Sequence, residues 1–401
     1  MAESIVRLMR PGQLSLAALP PLSLYVHLPW CLRKCPYCDF NSHEWQGGRE
    51  LPAETARQYL AALRADLEAA LPLIWGRSVV SIFIGGGTPS LFAPEQIGEL
   101  ISDLRARLRL EPDCEITLEA NPGTFERERF RGFREAGVTR LSVGVQSFDD
   151  AKLKALGRVH NSEQARAALT EAAACFDTFN IDLMYALPGQ SLDELALELE
   201  TALAFGPPHL SVYHLTIEPN TRFASRPPEQ LPDPDLASEM LDLITAKTAA
   251  AGLERYEVSA YAKAGHRCAH NQNYWQFGDY LGIGAGAHSK LSFAHRILRQ
   301  VRWREPAAYM AKALEGQAVS NEQEVGAPEL PFEFMLNALR LKEGVPMQTY
   351  LERTGLPATS ILKAAETARA KGLLQPDPAR LAPTPLGFDF LSDLQSLFLA
   401  D

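Results

Sequence analysis

The segment CLRKCPYCDF, residues 31–40, carries the most informative cysteine spacing in the chain. Its cysteines follow the pattern C-x3-C-x2-C: Cys31, Cys35 and Cys38. Three thiolates at this spacing favour an iron–sulfur cluster in which one iron stays open to a ligand from outside the protein. A structural zinc ion is the alternative, and it needs a fourth ligand, for which His27 and His43 are nearby candidates.

Composition and charge exclude several classes of protein. The chain has 401 residues, of which 46% are apolar and 22% charged, so we expect one large globular domain and a smaller one. A net charge of −10 argues against capture of nucleic acid. No apolar run approaches the roughly 18 residues that span a bilayer, and prolines break the apolar stretch at 14–29, so we predict no signal peptide. Six unevenly spaced cysteines indicate a reducing, cytoplasmic compartment.

Short apolar runs recur along the first three quarters of the chain, and helical periodicity follows most of them. The runs are 23–29, 81–87, 115–122, 140–146, 179–188 and 209–216. After the first gap they start roughly 25–40 residues apart, which is the size of a βαβ unit. The pattern predicts a mixed α/β fold, a partial (β/α)6 barrel over residues 21–304 after an N-terminal extension at 1–20.

Polar residues and glycines collect where these predicted strands end. Glu119, Gln146, Asp182 and the run Gly85–Gly87 all lie at or near such ends. In βα barrels the carboxyl ends of the strands carry the ligand-binding side chains. Each residue alone could simply close a turn, but their recurrence at one edge predicts a site there.

The pattern changes after about residue 305. Three helices are predicted at 331–344, 347–355 and 360–374, followed by a short two-stranded wing and a closing helix. We therefore expect a winged-helix-like α domain over 305–401, and the acidic balance favours a packing or partner role over DNA binding.

The cysteine triad after the first strand and GGGTPS after the second resemble the radical S-adenosylmethionine (SAM) superfamily. That resemblance implies a [4Fe–4S] cluster whose open iron is chelated by SAM, and it explains why a fourth cysteine is missing. In that superfamily the reduced cluster cleaves SAM to a 5′-deoxyadenosyl radical. The glycines at 85–87 should permit close backbone approach and leave N–H and C=O groups free for the methionine end of SAM.

A closer resemblance covers the chain from about residue 21 to its end. LYVHLPWCLRKCPYCDFNSH, IFIGGGTPSLF, EANPGT, LSVGVQSF, LGRVH and NIDLMYALPGQ are together similar to the oxygen-independent coproporphyrinogen III dehydrogenase family. The resemblance places SAM contacts on Tyr25, Gly86, Gly87, Thr88 and Glu119. It places a second SAM site on Tyr37, Gln146, Arg158 and Asp182. Without it, the two tyrosines fit core packing and Arg158 fits a helix surface.

Two features separate the branches of that family. Phe40 stands where the dehydrogenase carries a further cysteine, and the dehydrogenase also has a longer N-terminal segment. The sequence HNQNYW at 270–275, within segment 266–290, resembles the His-Asn-x-x-Tyr-Trp motif of the heme chaperone HemW branch. His270 would then contact heme iron, and Tyr274 and Trp275 would offer flat faces to the porphyrin.

Roles other than heme binding stay open for some of these residues. His270 could be a structural histidine, and His266 with Cys268 could form a small metal site. Cys114 and Cys175 have no partner in the sequence and are predicted to be packing residues.

The resemblance implies a cytoplasmic heme chaperone that transfers heme to acceptor hemoproteins. The alternative is a radical SAM dehydrogenase that oxidatively decarboxylates coproporphyrinogen III. A homodimer, a position at the inner face of the membrane, SAM cleavage and the number of SAM molecules are left open by the sequence.

Overall fold

The computed structural model describes residues 14–47, 51–123, 127 and 129–399. Most of the N-terminal extension predicted at 1–20 therefore lies outside the described residues. The strands in chain order are β1 Leu22–Leu28, β2 Trp30–Cys31, β3 His43–Glu44, β4 Ser78–Gly86, β5 Arg109–Ala120, β6 Arg140–Gln146, β7 Thr178–Tyr185, β8 His209–His214, β9 Glu254–Arg255, β10 Ala260–Ala262, β11 Asp279–Ile283, β12 His288–Phe293, β13 Arg296–Arg302, β14 Val319–Glu324, β15 Val345–Pro346 and β16 Arg380–Leu381.

The helices lie between these strands and at the C-terminal end. In chain order they are α1 Ala53–Ala70, α2 Pro94–Arg107, α3 Phe130–Glu135, α4 Asp150–Ala155, α5 Ser162–Cys175, α6 Leu192–Ala204, α7 Arg222–Ser225, α8 Pro234–Ala250, α9 Ala269–Trp275, α10 Pro306–Leu314, α11 Leu330–Ala338, α12 Met347–Thr354, α13 Leu362–Ala370, α14 Pro385–Asp389 and α15 Leu391–Ser396. Short 3-10 turns occupy Leu71–Ile74, Pro89–Leu91 and Ala358–Ser360.

The six predicted apolar runs form the six central strands of one sheet, and the predicted mixed α/β fold is confirmed. Strands β1, β4, β5, β6, β7 and β8 are neighbours in chain order, and each pair is parallel. The side chains of β1, β6 and β7 are nearly continuously buried, as in a parallel sheet covered by helices. In β5 only the second half is buried. The sheet order is linear and has an edge at each end, so the barrel is partial.

Additional strands extend this sheet at both edges, and the sequence analysis did not predict them. On one side β10 pairs with β8 and β9 with β10; on the other side β11 pairs with β1, followed by β12, β13 and β14. Strand β14 lies beyond residue 305, where the C-terminal unit was expected to start. We propose that this unit starts after Glu324 instead.

A second core around Phe334 and Tyr350 is distinct from the main core between sheet and helices. The C-terminal unit shares it with residues of the main unit, among them Tyr256, Phe277 and Ile297. Its strand β16 pairs antiparallel with β15, not within the predicted wing. In the wing segment, only an isolated bridge joins Leu374 to Pro383. Prolines at 376, 378 and 383 supply no backbone N–H, which limits a ladder there. Among the described residues, no helix combines the length and apolarity needed to cross a bilayer.

Candidate cluster, cofactor and heme site

The cysteine loop connects two short parallel strands beside the main sheet. Cys31 ends β2, and Cys35 and Cys38 follow in the turn before β3. All three thiols are free. Burial, together with repulsion from the other two thiols, raises the pKa of Cys31 to about 11, against hydrogen bonds with Thr88 and Ser42 that lower it. Three thiolates in so small and partly buried a loop need a cationic partner, which an iron–sulfur cluster would supply.

The hydrogen bonds of His27 argue against zinc. The Tyr25 hydroxyl lies 2.9 Å from its Nδ1, and Nε2 lies 2.9 Å from the carbonyl oxygen of Asn41. A carbonyl only accepts, so Nε2 donates and Nδ1 accepts from Tyr25, which leaves no ring nitrogen for a metal ion. No set of three His, Cys, Asp or Glu side chains in the described ranges converges on a single-ion site. A cubane cluster does not need such convergence, because each thiolate binds a different iron.

The backbone N–H groups of the glycine segment at the end of β4 were expected to be free for a ligand, but they are hydrogen-bonded within the protein. The N–H of Gly86 donates to Glu119 Oε2 at 3.1 Å, and the N–H groups of Gly87 and Thr88 donate to the Leu28 and Trp30 carbonyls at 2.8 Å. The expectation of free N–H groups is therefore wrong for Gly86 and Gly87, because the Glu119 carboxylate on β5 and the carbonyl of Leu28 on β1 already accept from them. A Cβ on Gly87 would lie 2.6 Å from the Trp30 carbonyl oxygen. The glycine thus permits close approach of the chain segment that ends in Cys31.

A chain of side chains links the glycine loop to the cysteine loop. Asn121 Nδ2 donates to Thr88 Oγ1 at 3.1 Å, and Arg158 Nη2 donates to Asn121 Oδ1 at 2.6 Å. Arg158 also donates to the Gly144 carbonyl at 2.7 Å and reaches Cys35 Sγ at 3.6 Å. Its buried Nε has no hydrogen-bond partner among the described residues. Asn121 was not singled out from the sequence, although it lies two residues after Glu119 in the quoted motif EANPGT.

Two carboxylates face the inside of the curved sheet. Burial, together with repulsion from Asp182, raises the pKa of Glu119 to about 8. Burial also raises the pKa of Asp182, which accepts hydrogen bonds from Ser142 at 3.0 Å and Asn180 at 2.8 Å. No cation perturbs Glu119 among the described residues, whereas the Arg140 guanidinium lowers the pKa of Asp182, so a positively charged ligand would be favoured mainly beside Glu119.

The remaining predicted residues surround this region. Tyr37 packs beside Phe223, with ring centroids 6.4 Å apart, in a small apolar cluster under the cysteine loop. Gln146 ends β6 with φ of 69°, a left-handed conformation that a non-glycine residue rarely adopts. Tyr25 is half-buried on β1, and its ring stacks on Phe83 at 6.3 Å. Gly86, Glu119 and Gln146 lie at the carboxyl ends of β4, β5 and β6, as predicted. Tyr25 and Asp182 lie in the middle of β1 and β7, so the expected strand-end position is wrong for Asp182.

A cavity of about 390 Å³ opens beside this end of the sheet, between α9 and the cysteine loop. Its walls include His270, Tyr274, Tyr25, Phe40 and Asn41. The His270 ring lies 5.1 Å from Phe83 and 6.4 Å from Tyr25, and its Nδ1 is 3.3 Å from the Ser81 hydroxyl. Burial lowers the pKa of His270 to about 4, so the imidazole is neutral and able to bind iron.

Residues 25–202 match the model of the radical SAM superfamily, and residues 326–390 match the HemN C-terminal domain. The chain is 47% identical to the heme chaperone HemW of Escherichia coli (strain K12) over 385 residues, 96% of this chain and 99% of that one. The chain belongs to the heme chaperone HemW family. The HemW of Mycobacterium tuberculosis (strain ATCC 25618 / H37Rv) is 37% identical, with 93% of this chain and 94% of the relative covered.

The solved structure of coproporphyrinogen III oxidase (HemN) from Escherichia coli, described as a radical SAM enzyme, shares the fold of this HemW family member. Its TM-score is 0.80 at 24% identity, with 99% of this chain and 93% of that chain covered. The likeness extends over both units of the chain.

The two aromatic residues of the HemW-type motif face different parts of the molecule. Tyr274 lines the cavity, whereas Trp275 packs against the core of the C-terminal unit with Arg340 4.4 Å from its ring. The structure therefore turns Trp275 toward the second domain, not toward a porphyrin. A linear motif does not show this, because residues adjacent in a helix point in directions 100° apart.

The other cysteines and His266 bond elsewhere. Cys268 lies 3.5 Å from Glu115 Oε1, and His266 Nδ1 lies 3.0 Å from the Thr178 hydroxyl. Cys114 packs partly against the main core, and Cys175 donates to Glu171 at 3.2 Å. Since Cys268 and His266 bond to different strands, the small metal site considered for them gains no support.

Proposed function

We propose that this chain is a heme chaperone that binds heme in the cavity beside His270 and transfers it to acceptor hemoproteins. One observation carries the proposal. The motif histidine, which the sequence relates to heme, faces a cavity whose other wall is the cysteine loop. Full-length identity of 47% to a heme chaperone HemW supports the same function.

The cysteine loop is proposed to hold a [4Fe–4S] cluster, with SAM at its open iron. Glu119 and Asp182 would attract the amino and sulfonium charges of SAM, because no ion pair joins either carboxylate to a cation among the described residues and only Asp182 feels a guanidinium, that of Arg140. The buried Nε of Arg158 would donate to a ligand carboxylate, which would satisfy a group that the protein leaves unpaired. When bound, the cluster and SAM supply one-electron chemistry.

The other predicted residues would complete the two SAM sites. Tyr25, Gly86, Gly87 and Thr88 would contact the first molecule, and Tyr37 and Gln146 the second. Since the N–H groups of 86–88 are already bonded, this stretch would contribute carbonyl oxygens and the Thr88 hydroxyl.

The dehydrogenase alternative has a direct test. Phe40, where that enzyme is expected to carry a cysteine, is 60% exposed at the cavity wall and offers only an apolar ring. Purified, reconstituted protein is incubated anaerobically with coproporphyrinogen III, SAM and a reductant. We expect no protoporphyrinogen, and steady turnover would replace the chaperone proposal with the dehydrogenase.

Heme transfer tests the positive part of the proposal. Heme-loaded protein is mixed with apomyoglobin and separated by size. We expect the heme absorbance to move to the acceptor, and retention of all heme by the loaded protein would contradict a chaperone.

Assembly and location are also proposals. We propose a cytoplasmic protein that forms a homodimer and meets acceptors at the inner face of the membrane. Light scattering would test the dimer, and cell fractionation would test the membrane contact. A monomer, or protein absent from the washed membrane fraction, would contradict the respective proposal.

A further inference from the structure

Three histidines line the cavity: His27, His270 and His288. Both ring nitrogens of His27 are hydrogen-bonded, so it has no capacity left for a metal. His270 uses Nδ1 toward Ser81, and its Nε2 takes part in no hydrogen bond among the described residues. Two imidazoles at this cavity therefore have a nitrogen to offer.

His288 is the second of these imidazoles. It is the first residue of β12 and is exposed, and its ring makes no hydrogen bond within the described part of the chain. Partial burial of the ring and the nearby guanidinium groups of Arg299 and Arg304 lower its pKa, which disfavours the protonated ring. An exposed histidine without protein partners is not needed to hold the fold together.

Strand register places His288 in line with the other cavity wall. Tyr25 pairs with Gly282 across β1 and β11, and Tyr280 pairs with Lys290 across β11 and β12. Because the second pair is antiparallel, Gly282 stands opposite His288. Tyr25, Gly282 and His288 thus form one row across three strands, with steps of about 4.8 Å.

The middle position of this row carries no side chain. A Cβ on Gly282 would collide with the backbone of His288, so glycine is required there. The floor between Tyr25 and His288 is therefore backbone only. At the far end of the row, the His270 ring lies 6.4 Å from the Tyr25 ring. The two available imidazoles therefore flank this row from opposite ends, His270 beside Tyr25 and His288 on β12.

We propose that His270 and His288 bind heme iron from opposite faces, so that the chain holds heme as a six-coordinate bis-histidine complex. This inference rests on the proposed heme binding in the same cavity. Arg304, which also lines the cavity, offers a guanidinium to a heme propionate. Two coordinate bonds form from neutral imidazole nitrogens, and no electron or proton is transferred. The exposed His288 is the ligand that an acceptor would reach first, so its release would start the transfer.

The test compares wild-type protein with the variants His288→Ala, His288→Gly, His270→Ala and, as control, His295→Ala. His295 lies in the turn between β12 and β13 and is not part of the cavity wall. Each protein is loaded with ferric heme, and its spin state is recorded by absorption and electron paramagnetic resonance. We expect low-spin heme in wild type and in His295→Ala.

In His288→Ala we expect heme to stay bound but become high-spin, with a several-fold faster loss to apomyoglobin. Added imidazole should restore the low-spin spectrum in His288→Gly, which a merely structural role of His288 would not produce. If the wild-type heme is high-spin, or if His288→Ala stays low-spin, the bis-histidine inference is wrong while heme binding stands. If wild-type protein binds no heme, the proposed function itself fails.

Discussion

The Tyr25 hydroxyl donates a hydrogen bond of 2.9 Å to Nδ1 of His27, where the candidate heme cavity meets the cysteine loop. Through Nε2, His27 bonds to Asn41, which lies three residues after Cys38 and is itself part of the cavity wall. A Cβ on Gly86 would lie 2.7 Å from the His27 ring, so the SAM-side loop touches the same imidazole. The proposed heme and cluster sites therefore share a wall that contains His27. We expect a substitution or a bound ligand at one site to alter ligand binding at the other.

The cluster cysteines should be distinguishable from the packing cysteines. Cys38→Ala removes a proposed iron ligand, so reconstituted protein should lose most of its bound iron and acid-labile sulfide. Cys175→Ala is the matched control, since that thiol is partly exposed at the end of α5 and should leave the iron content unchanged. Equal iron in the two variants would contradict the assigned cluster ligands.

The close approach of the Gly87 backbone to Pro29 and Trp30 should be required for the stability of the cysteine loop. In Gly87→Ala the new Cβ meets backbone atoms of Pro29 and Trp30, which cannot rotate away, so we expect a cost of about 1–3 kcal/mol in unfolding free energy. Gly98→Ala in α2 places its Cβ at an ordinary 3.6 Å from Ala136 and should be neutral or stabilising by roughly 1 kcal/mol. Thermal unfolding compares the pair, and an unchanged midpoint for Gly87→Ala would count against this role.

Arg158 should require its guanidinium fork and not only its charge. Arg158→Lys keeps the positive charge but cannot reach Asn121, Gly144 and Cys35 together, so SAM affinity should fall at least tenfold, about 1.4 kcal/mol. Equilibrium dialysis with labelled SAM measures this. The exposed Arg166→Lys serves as control, and equal affinities in the two variants would exclude Arg158 from the site.

The raised pKa of Glu119 predicts a pH dependence of stability. Between its ordinary value of 4.5 and the folded value of about 8, the folded protein binds more protons than the unfolded chain. The contribution of Glu119 to the unfolding free energy therefore falls as pH rises through this window. Glu119→Gln removes this ionisable group. The thermal unfolding midpoint of the variant, measured relative to that of wild type, should therefore rise between pH 5 and pH 8. Parallel midpoints across that range would show that Glu119 is not perturbed.

The central part of the fold could be predicted because each of its strands leaves a recognisable pattern within a short stretch of sequence. Each of the strands β1 and β4–β8 contains a buried apolar run, which in β5 occupies only the second half, and turn residues follow it. The edge strands gave no such signal. Strand β14 reads VSNEQE and is almost wholly exposed, and β13 reads RILRQVR, with an arginine at every third position and no period-two alternation. Their place in the sheet depends on pairing with residues far away in sequence.

The site was predictable to the extent that its residues follow strands. Glu119 and Gln146 lie where the pattern predicted, because parallel strands end at one edge of the sheet. Asn121, His288 and the orientation of Trp275 depend on how loops and the two units pack, and no spacing in the sequence records that. The occupied N–H groups of 86–88 were missed for the same reason.

Titration of hemin into the purified, reconstituted protein tests the central claim most directly. We predict one heme per chain with a Soret band in wild type, at least tenfold weaker binding in His270→Ala, and wild-type binding in His295→Ala. No Soret band in wild type, or equal affinity in wild type and His270→Ala, would contradict heme binding at this cavity.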